Sequence, residues 1–349
     1  MRRVSIAEIM THTGLSRATV DRVLNRRGRV HHRTRELVED TLKRLRAGSP
    51  DVPQLQPKAD LVLRVGRGMM EQMRAAWDRA GASGTFHDMY QAKEAELVAT
   101  IRSLGANTAN ALIITAKNTD RIADALREAR RRGKRVIAIL SDLAQDARDC
   151  FVGIDNRAAG RTAAFLVGRT LGDRPARVGV VLGDLAFRCH EDREIGFRTG
   201  LRANFPKVVI AGEALGEDNP ALTRDAIARL LRDQPEIEAI YNVGGGNAGL
   251  VEALRRGGRR RGILLVGHEV NKVTIPLMTD GWMDYAIAAD VDLILHEALR
   301  IAAGESADGP RDALLGFSVH TRFNLPAGAA TADPGDTTPA LASRGKTHG

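Results

Sequence analysis

The chain has 349 residues, 43% hydrophobic and 27% charged, a balance that suits a sizeable folded core and excludes a wholly disordered polypeptide. Its formal net charge is +9, and no apolar run approaches the roughly 20 residues needed to span a bilayer. Cys150 and Cys189 are the only cysteines, too few for a disulfide framework and without metal-ligand spacing.

The positive charge is concentrated at the start. Residues 1–47 hold twelve Lys and Arg against five Asp and Glu, so they carry +7 of the total. Ser5 and Glu8 form a capping-box pair, and Ile6, Ile9 and Met10 fall on one face of the helix that follows. Gly14 supplies a permissive turn, Ser16 can cap a second helix, and Val20, Val23 and Leu24 point inward from it. Leu37, Val38, Leu42 and Leu45 mark a third amphipathic helix at about 34–45. Three short helices with a basic surface predict a helix-turn-helix head, residues 1–46, for double-stranded DNA. The polar, capped start carries no secretory leader, which with the cysteine content predicts a cytoplasmic protein.

Residues 47–59 form a linker containing Pro50, Pro53 and Pro57. From Leu61 short apolar runs alternate with amphipathic stretches: 61–65, 111–115, 135–140, 178–182, 208–211, 239–243 and 263–266 read as strands. The stretches 69–80, 93–104, 119–132, 158–171, 193–203, 221–231 and 248–256 read as helices. This alternation predicts an α/β unit with parallel sheets, residues 60–326, and its length predicts two lobes. The run Gly244-Gly245-Gly246-Asn247 lacks the spacing of a dinucleotide fingerprint. Residues 327–349, rich in Ala, Thr, Gly and Pro, read as a disordered tail.

The run G-L-S-R-A-T-V-D-R-V-L-N (14–25) and the Gly28–Val30 turn resemble the lactose-repressor/galactose-repressor family of bacterial transcription regulators. V-G-I-D-N-R-A-A-G-R (152–161), H-E-D-R-E-I-G-F (190–197), I-Y-N-V-G-G-G-N-A-G (240–249) and L-V-G-H-E (265–269) resemble the ribose-binding-protein type of effector domain in that family. The resemblance covers roughly residues 3–326. It implies a type I periplasmic-binding-protein fold, with two lobes joined by three crossovers around a small sugar or polyol. It also implies a homodimer on a pseudo-palindromic operator, acting as a repressor.

The resemblance places Arg17 and Ala18 against base edges, with Arg22 one turn on; arginine reads guanine and alanine meets the thymine methyl. Ser5, Ile6, Ser16, Thr19 and Asn25 are expected at the DNA backbone, and Arg29 is a further DNA-binding candidate. Asp21 departs from the family's usual serine, and pairing with Arg17 would either position that arginine or withdraw it. The prolines replace the family's hinge helix and leave Leu55 as the one candidate minor-groove wedge.

For the effector, the resemblance points to Arg193, Asp155 and Glu269, a planar fork and two carboxylates suited to hydroxyls. Asn242, Asn247, His268, Asp142 and Lys117 are further candidates on strand-end loops, with interlobe salt bridges the competing role for Asp155 and Lys117. Phe187, Tyr90 and Trp282 are the aromatics available for stacking. No cofactor, metal triad, Walker loop or activated nucleophile is recognisable, so no enzyme is expected. An alternative keeps the DNA-binding head but makes the second domain a dimerisation or partner-protein platform without an effector, using an outward Met69, Met70, Met73 and Trp77.

Overall fold

The computed structural model describes residues 5, 6, 9, 17–25, 35, 38, 39, 41 and 42, and then 58–184, 186–258, 262–304 and 311–326. The chain divides into two compact units, residues 1–55 and 56–349. In the first, α1 (Arg17–Leu24) is the expected second helix of the head. Ile9, Val20, Val23 and Val38 form a buried cluster flanked by Ile6, Leu24 and Leu42, the inward positions that helical spacing predicts. Asn25 Nδ2 donates to Asp21 Oδ1 at 2.8 Å, so this carboxylate has an amide partner one turn on. Ser16, Arg29, the linker through residue 57 and the tail lie outside the described residues, as do the side chains of Arg17 and Ala18.

The second unit holds two six-stranded sheets. In lobe 1 the order is β11 (Ala313–Leu315), β5 (Cys150–Ile154), β4 (Arg135–Ile139), β3 (Ala111–Thr115), β1 (Ala59–Leu63) and β2 (Phe86–Asp88). In lobe 2 it is β12 (Phe317–His320), β10 (Tyr285–Ala289), β9 (Leu264–His268), β8 (Ile237–Asn242), β6 (Ala176–Leu182) and β7 (Val208–Leu215). All neighbours are parallel except β10 and β12. Every residue of β1, β3 and β5 is buried, because helices cover both faces of the sheet.

Lobe 1 carries α2 (Arg67–Ala80), α3 (Glu94–Gly105), α4 (Asp120–Arg131) and α10 (Val291–Ala302). Lobe 2 carries α5 (Asn156–Leu171), α6 (Arg188–Asn204), α7 (Pro220–Asp233), α8 (Asn247–Arg256) and α9 (Thr274–Thr279). The chain crosses between lobes after β5, after β10 and between β11 and β12, the three crossovers that the resemblance implies. One expectation fails: Met69, Met70, Met73 and Trp77 point inward and pack in the core with Val291, Ile294 and Leu295 of α10. An apolar stripe at helical spacing marks an inner face, and here that face is covered by α10, a helix the sequence reading did not identify.

The contact that orients the site is between α5 and α6. A Cβ at Gly160 would lie 2.0 Å from Arg193 O, and one at Gly196 would lie 2.2 Å from Arg157 O. The two backbones therefore touch, and α6 is held at a fixed height against the first crossover. Gly196→Ala is expected to force the helices apart and lower stability by roughly 1–3 kcal/mol, measured by urea denaturation. An unchanged unfolding midpoint would show that the helices yield without cost.

Candidate functional site

The strands of both lobes end on a shared cleft with a cavity volume of about 190 Å³, room for on the order of a dozen water-sized groups. Lobe 1 contributes the segment from Arg64 to Met69, with Tyr90, Thr115, Leu140 and Ser141. Lobe 2 contributes Phe187, Cys189, His190 and Arg193 from the α6 end. Asp218, the Gly245–Ala248 turn and the loop carrying His268, Glu269 and Asn271 complete it.

Arg193 stands at the centre of the polar wall. Its Nε donates to Asn156 Oδ1 at 2.8 Å and its Nη1 to the Val243 carbonyl at 2.9 Å. Asn156, the first residue of α5 and 6% exposed, thus ties the arginine to the crossover. Glu269 accepts from Asn271 Nδ2 at 2.8 Å. Burial pushes its pKa up to about 7; Arg193 opposes that shift and Asp218 adds to it. Asp218, which the sequence reading missed, accepts from the Gly245 N–H at 2.6 Å and lies 3.8 Å from His190 Nδ1. Burial alone would discharge His190, but the adjacent Cys189 sulfur and Asp218 outweigh it and push its pKa up to about 9.

The glycine run has its explanation here. A Cβ at Gly244 would fall 2.4 Å from Asp218 Oδ1 and 3.0 Å from His190 Nε2, so the turn is glycine to admit these two side chains. Backbone strain gathers at the same place. Among the described residues five non-glycine residues have positive φ, and Leu140 (65°), Asp218 (57°) and Glu269 (71°) of these line the cleft. Conformations of this kind cost about 1–3 kcal/mol each and persist where the surroundings over-determine them.

His268 lines the cleft and is 2% exposed. Burial and the nearby Arg193 hold its pKa well below the usual value, so the ring is neutral. Tyr241 OH lies 2.8 Å from His268 Nε2, and burial keeps the phenol protonated, so two neutral groups share this hydrogen bond. Tyr241 is locked in place by stacking on Phe197, with ring centroids 4.4 Å apart.

Of the residues expected at the effector, Arg193, Glu269, Asn247 and His268 line the cleft. Four do not. Asp155 caps α5, accepting from the Ala158 N–H at 2.8 Å with its side chain 48% exposed. Lys117 pairs with Asp184, joining a lobe 1 loop to a lobe 2 loop. Asp142 pairs with Arg148, which also holds Asp312. Asn242 is fully buried and donates to Asn247 Oδ1 at 2.9 Å, so it positions a lining residue. Among the aromatics, Phe187 and Tyr90 line the cleft, whereas Trp282 is buried in lobe 2 beneath Arg255. Missed were Asp218, His190 and the Arg64–Arg67 segment, because single polar residues in a loop or in the first turn of a helix have no periodic signal.

The rims of the cleft touch. Asn118 N donates to Ala186 O at 2.7 Å, Cys189 N to Ser141 Oγ at 3.3 Å, and Gln72 Nε2 to Val270 O at 3.3 Å. Among the described residues no group of three His, Cys, Asp or Glu is placed to hold a metal ion, and no helix is long and apolar enough to cross a membrane.

The family profile described as periplasmic binding protein domain matches residues 62–307. Solved structures share the fold. An ABC transporter solute-binding protein from Burkholderia graminis, in complex with D-arabinose, is similar with a TM-score of 0.70 at 19% identity, over 78% of this chain and 98% of its own. GanP, a glucose-galactose binding protein from Geobacillus stearothermophilus, has a TM-score of 0.69 at 16% identity, covering 77% and 99%. A periplasmic solute-binding protein from Actinobacillus succinogenes with bound D-allose has a TM-score of 0.67 at 18% identity, covering 76% and 98%. No curated protein matches the chain.

The Glu269 carboxyl has a folded pKa of about 7 against an ordinary 4.5, so between these values the native state keeps a proton that the unfolded chain releases. This group's contribution to stability is therefore lost as pH rises through that window. Glu269→Gln is expected to raise the thermal unfolding midpoint at pH 8 more than at pH 4. Equal shifts at both pH values would show that the carboxylate is not destabilised by burial.

Proposed function

The chain belongs to the periplasmic binding protein domain family, and we propose that within it this protein is a DNA-binding transcription regulator of the lactose-repressor/galactose-repressor type. In this reading a small sugar or polyol binds in the cleft and sets the affinity of the head for operator DNA. The observation that carries the ligand half is the polar wall of Arg193, Asp218, Glu269 and Asn247 around an open cavity. A cleft of this kind supports a small-molecule effector over a partner platform, and the buried methionines leave that alternative without its expected surface.

The DNA half rests on the head. Its basic excess, its helix-turn-helix spacing and its small apolar cluster support a module that docks one helix in a major groove. Solute-binding proteins of the same fold support the sugar reading alone, since they cover about three quarters of this chain and the family profile begins only at residue 62. The regulator acts as a cytoplasmic homodimer and repressor, placing two heads on two half-sites. It is not an enzyme and takes no cofactor.

Allosteric control requires only that the sugar prefer one arrangement of the lobes, and couplings of this kind change affinity by roughly 5- to 150-fold. Fluorescence anisotropy on an operator selected from random duplexes is expected to show such a shift with the effector sugar. Arg193→Ala should abolish the shift while leaving the sugar-free operator affinity intact. Arg17→Ala is expected to cost about 1–3 kcal/mol of sequence discrimination. A protein that binds no duplex selectively would refute the regulator reading and leave a sugar-binding domain.

A further inference from the structure

The two walls of the cleft differ in charge. Both carboxylates that line it, Asp218 and Glu269, come from lobe 2, where His190 lies 3.8 Å from Asp218 and Arg193 acts on Glu269. The lobe 1 wall carries Arg64 and Arg67 and no lining carboxylate among the described residues. Arg64 donates from Nε to the Ala92 carbonyl at 3.1 Å, and Arg67 lies 4.5 Å over the Tyr90 ring. Neither forms an ion pair with a described residue, although elsewhere in the unit arginines find carboxylates: Arg79 with Asp292, Arg148 with Asp312, Arg174 with Glu238.

The start of α2 adds to this excess. Its N-cap is Gly66, which provides no side-chain hydrogen bond, and Gly66, Gly68 and Met69 all line the cleft. α4, α5, α7 and α10 are capped by Thr119, Asp155, Asn219 and Asp290, whereas α6 and α8, which start on the opposite wall at Phe187 and Gly246, also lack a side-chain cap, so the two arginines are what distinguish the start of α2. An uncapped helix start beside two arginines is a place for an anion, since first-turn amides and guanidinium forks both favour an acceptor carrying negative charge.

We propose that the ligand is an acidic monosaccharide, a sugar acid whose carboxylate is held by Arg64, Arg67 and the first turn of α2. Its hydroxyls then meet Arg193, Asp218 and Glu269 on the opposite wall. The inference rests on the reading of the cleft as a sugar site and narrows its ligand class. A sugar phosphate would present the same charge in a larger group.

Isothermal titration of the full-length protein tests this with D-glucose, D-glucuronate, D-gluconate and glucose 6-phosphate, and with the galactose counterparts. A sugar acid is expected to bind at least tenfold more tightly than its neutral parent, with the difference shrinking as salt is raised. Arg64→Gln and Arg67→Gln, each checked for folding by circular dichroism, should erase the difference by weakening the acid at least tenfold more than the neutral sugar. Because Arg67 is exposed, its variant keeps the test valid should Arg64→Gln unfold. A neutral sugar binding as tightly as its acid would overturn the carboxylate assignment while the sugar reading stands. A phosphate binding more tightly than every acid would also overturn it, in favour of phosphorylated sugars. Binding of none of these compounds would overturn both readings.

Discussion

A charge taken out of water must find a partner, and the cleft of this protein is built around that demand. Arg193 meets it with backbone and amide oxygens in place of a carboxylate: Asn156 at the first crossover and the Val243 carbonyl beyond β8. The guanidinium thereby keeps its position without surrendering its charge to an internal salt bridge. The rest follows from holding it there. Gly160 and Gly196 let α5 and α6 touch, which sets the height of the arginine, and the glycine turn at 244–246 makes room for Asp218 opposite.

The cost of this arrangement is visible nearby. Glu269 is held in a left-handed backbone conformation with its carboxyl pushed up to about 7, and Leu140 and Asp218 share the unusual backbone region. A protein selected only for stability would relax such features, whereas a site that must present polar groups in one geometry retains them. The lobes meet around it through a few hydrogen bonds and the Lys117–Asp184 and Lys272–Glu71 pairs, a small set of contacts compared with the apolar cores inside each lobe. A ligand that bridges both walls adds its contacts to that small set, which is the physical condition for a ligand to bias the arrangement of two lobes.

How much of this was legible in the sequence depended on periodicity. β3 was readable to the residue because a strand buried on both faces is a continuous apolar run, and α8 because Leu250, Val251 and Leu254 recur at helical spacing. β2 and β11 have three residues each and leave no pattern, and β10 is alanine-rich, with little β-branched signal. Arg193 and Glu269 were reached through family resemblance, since a single arginine on a helix has no periodic signature. Asp155 was misread for a chemical reason: a carboxylate that caps a helix and one that accepts from a sugar are the same side chain in the same kind of loop. Asp218 went unnoticed in a Gly-Glu-Asp-Asn turn, where polar residues are the default.

The sequence by itself determined the class of the fold, the separation of a basic head from a neutral α/β unit, and the inner faces of most helices. These are local properties, carried by spacing and composition within a dozen residues. Tertiary structure decided which polar side chains share a cavity, because Arg64, Arg193, Asp218 and Glu269 lie far apart in the chain and meet only where the strand ends of two sheets converge. It also decided which charges are matched. Ion pairing depends on distances of a few ångströms between loops of different lobes, and no local pattern encodes those distances.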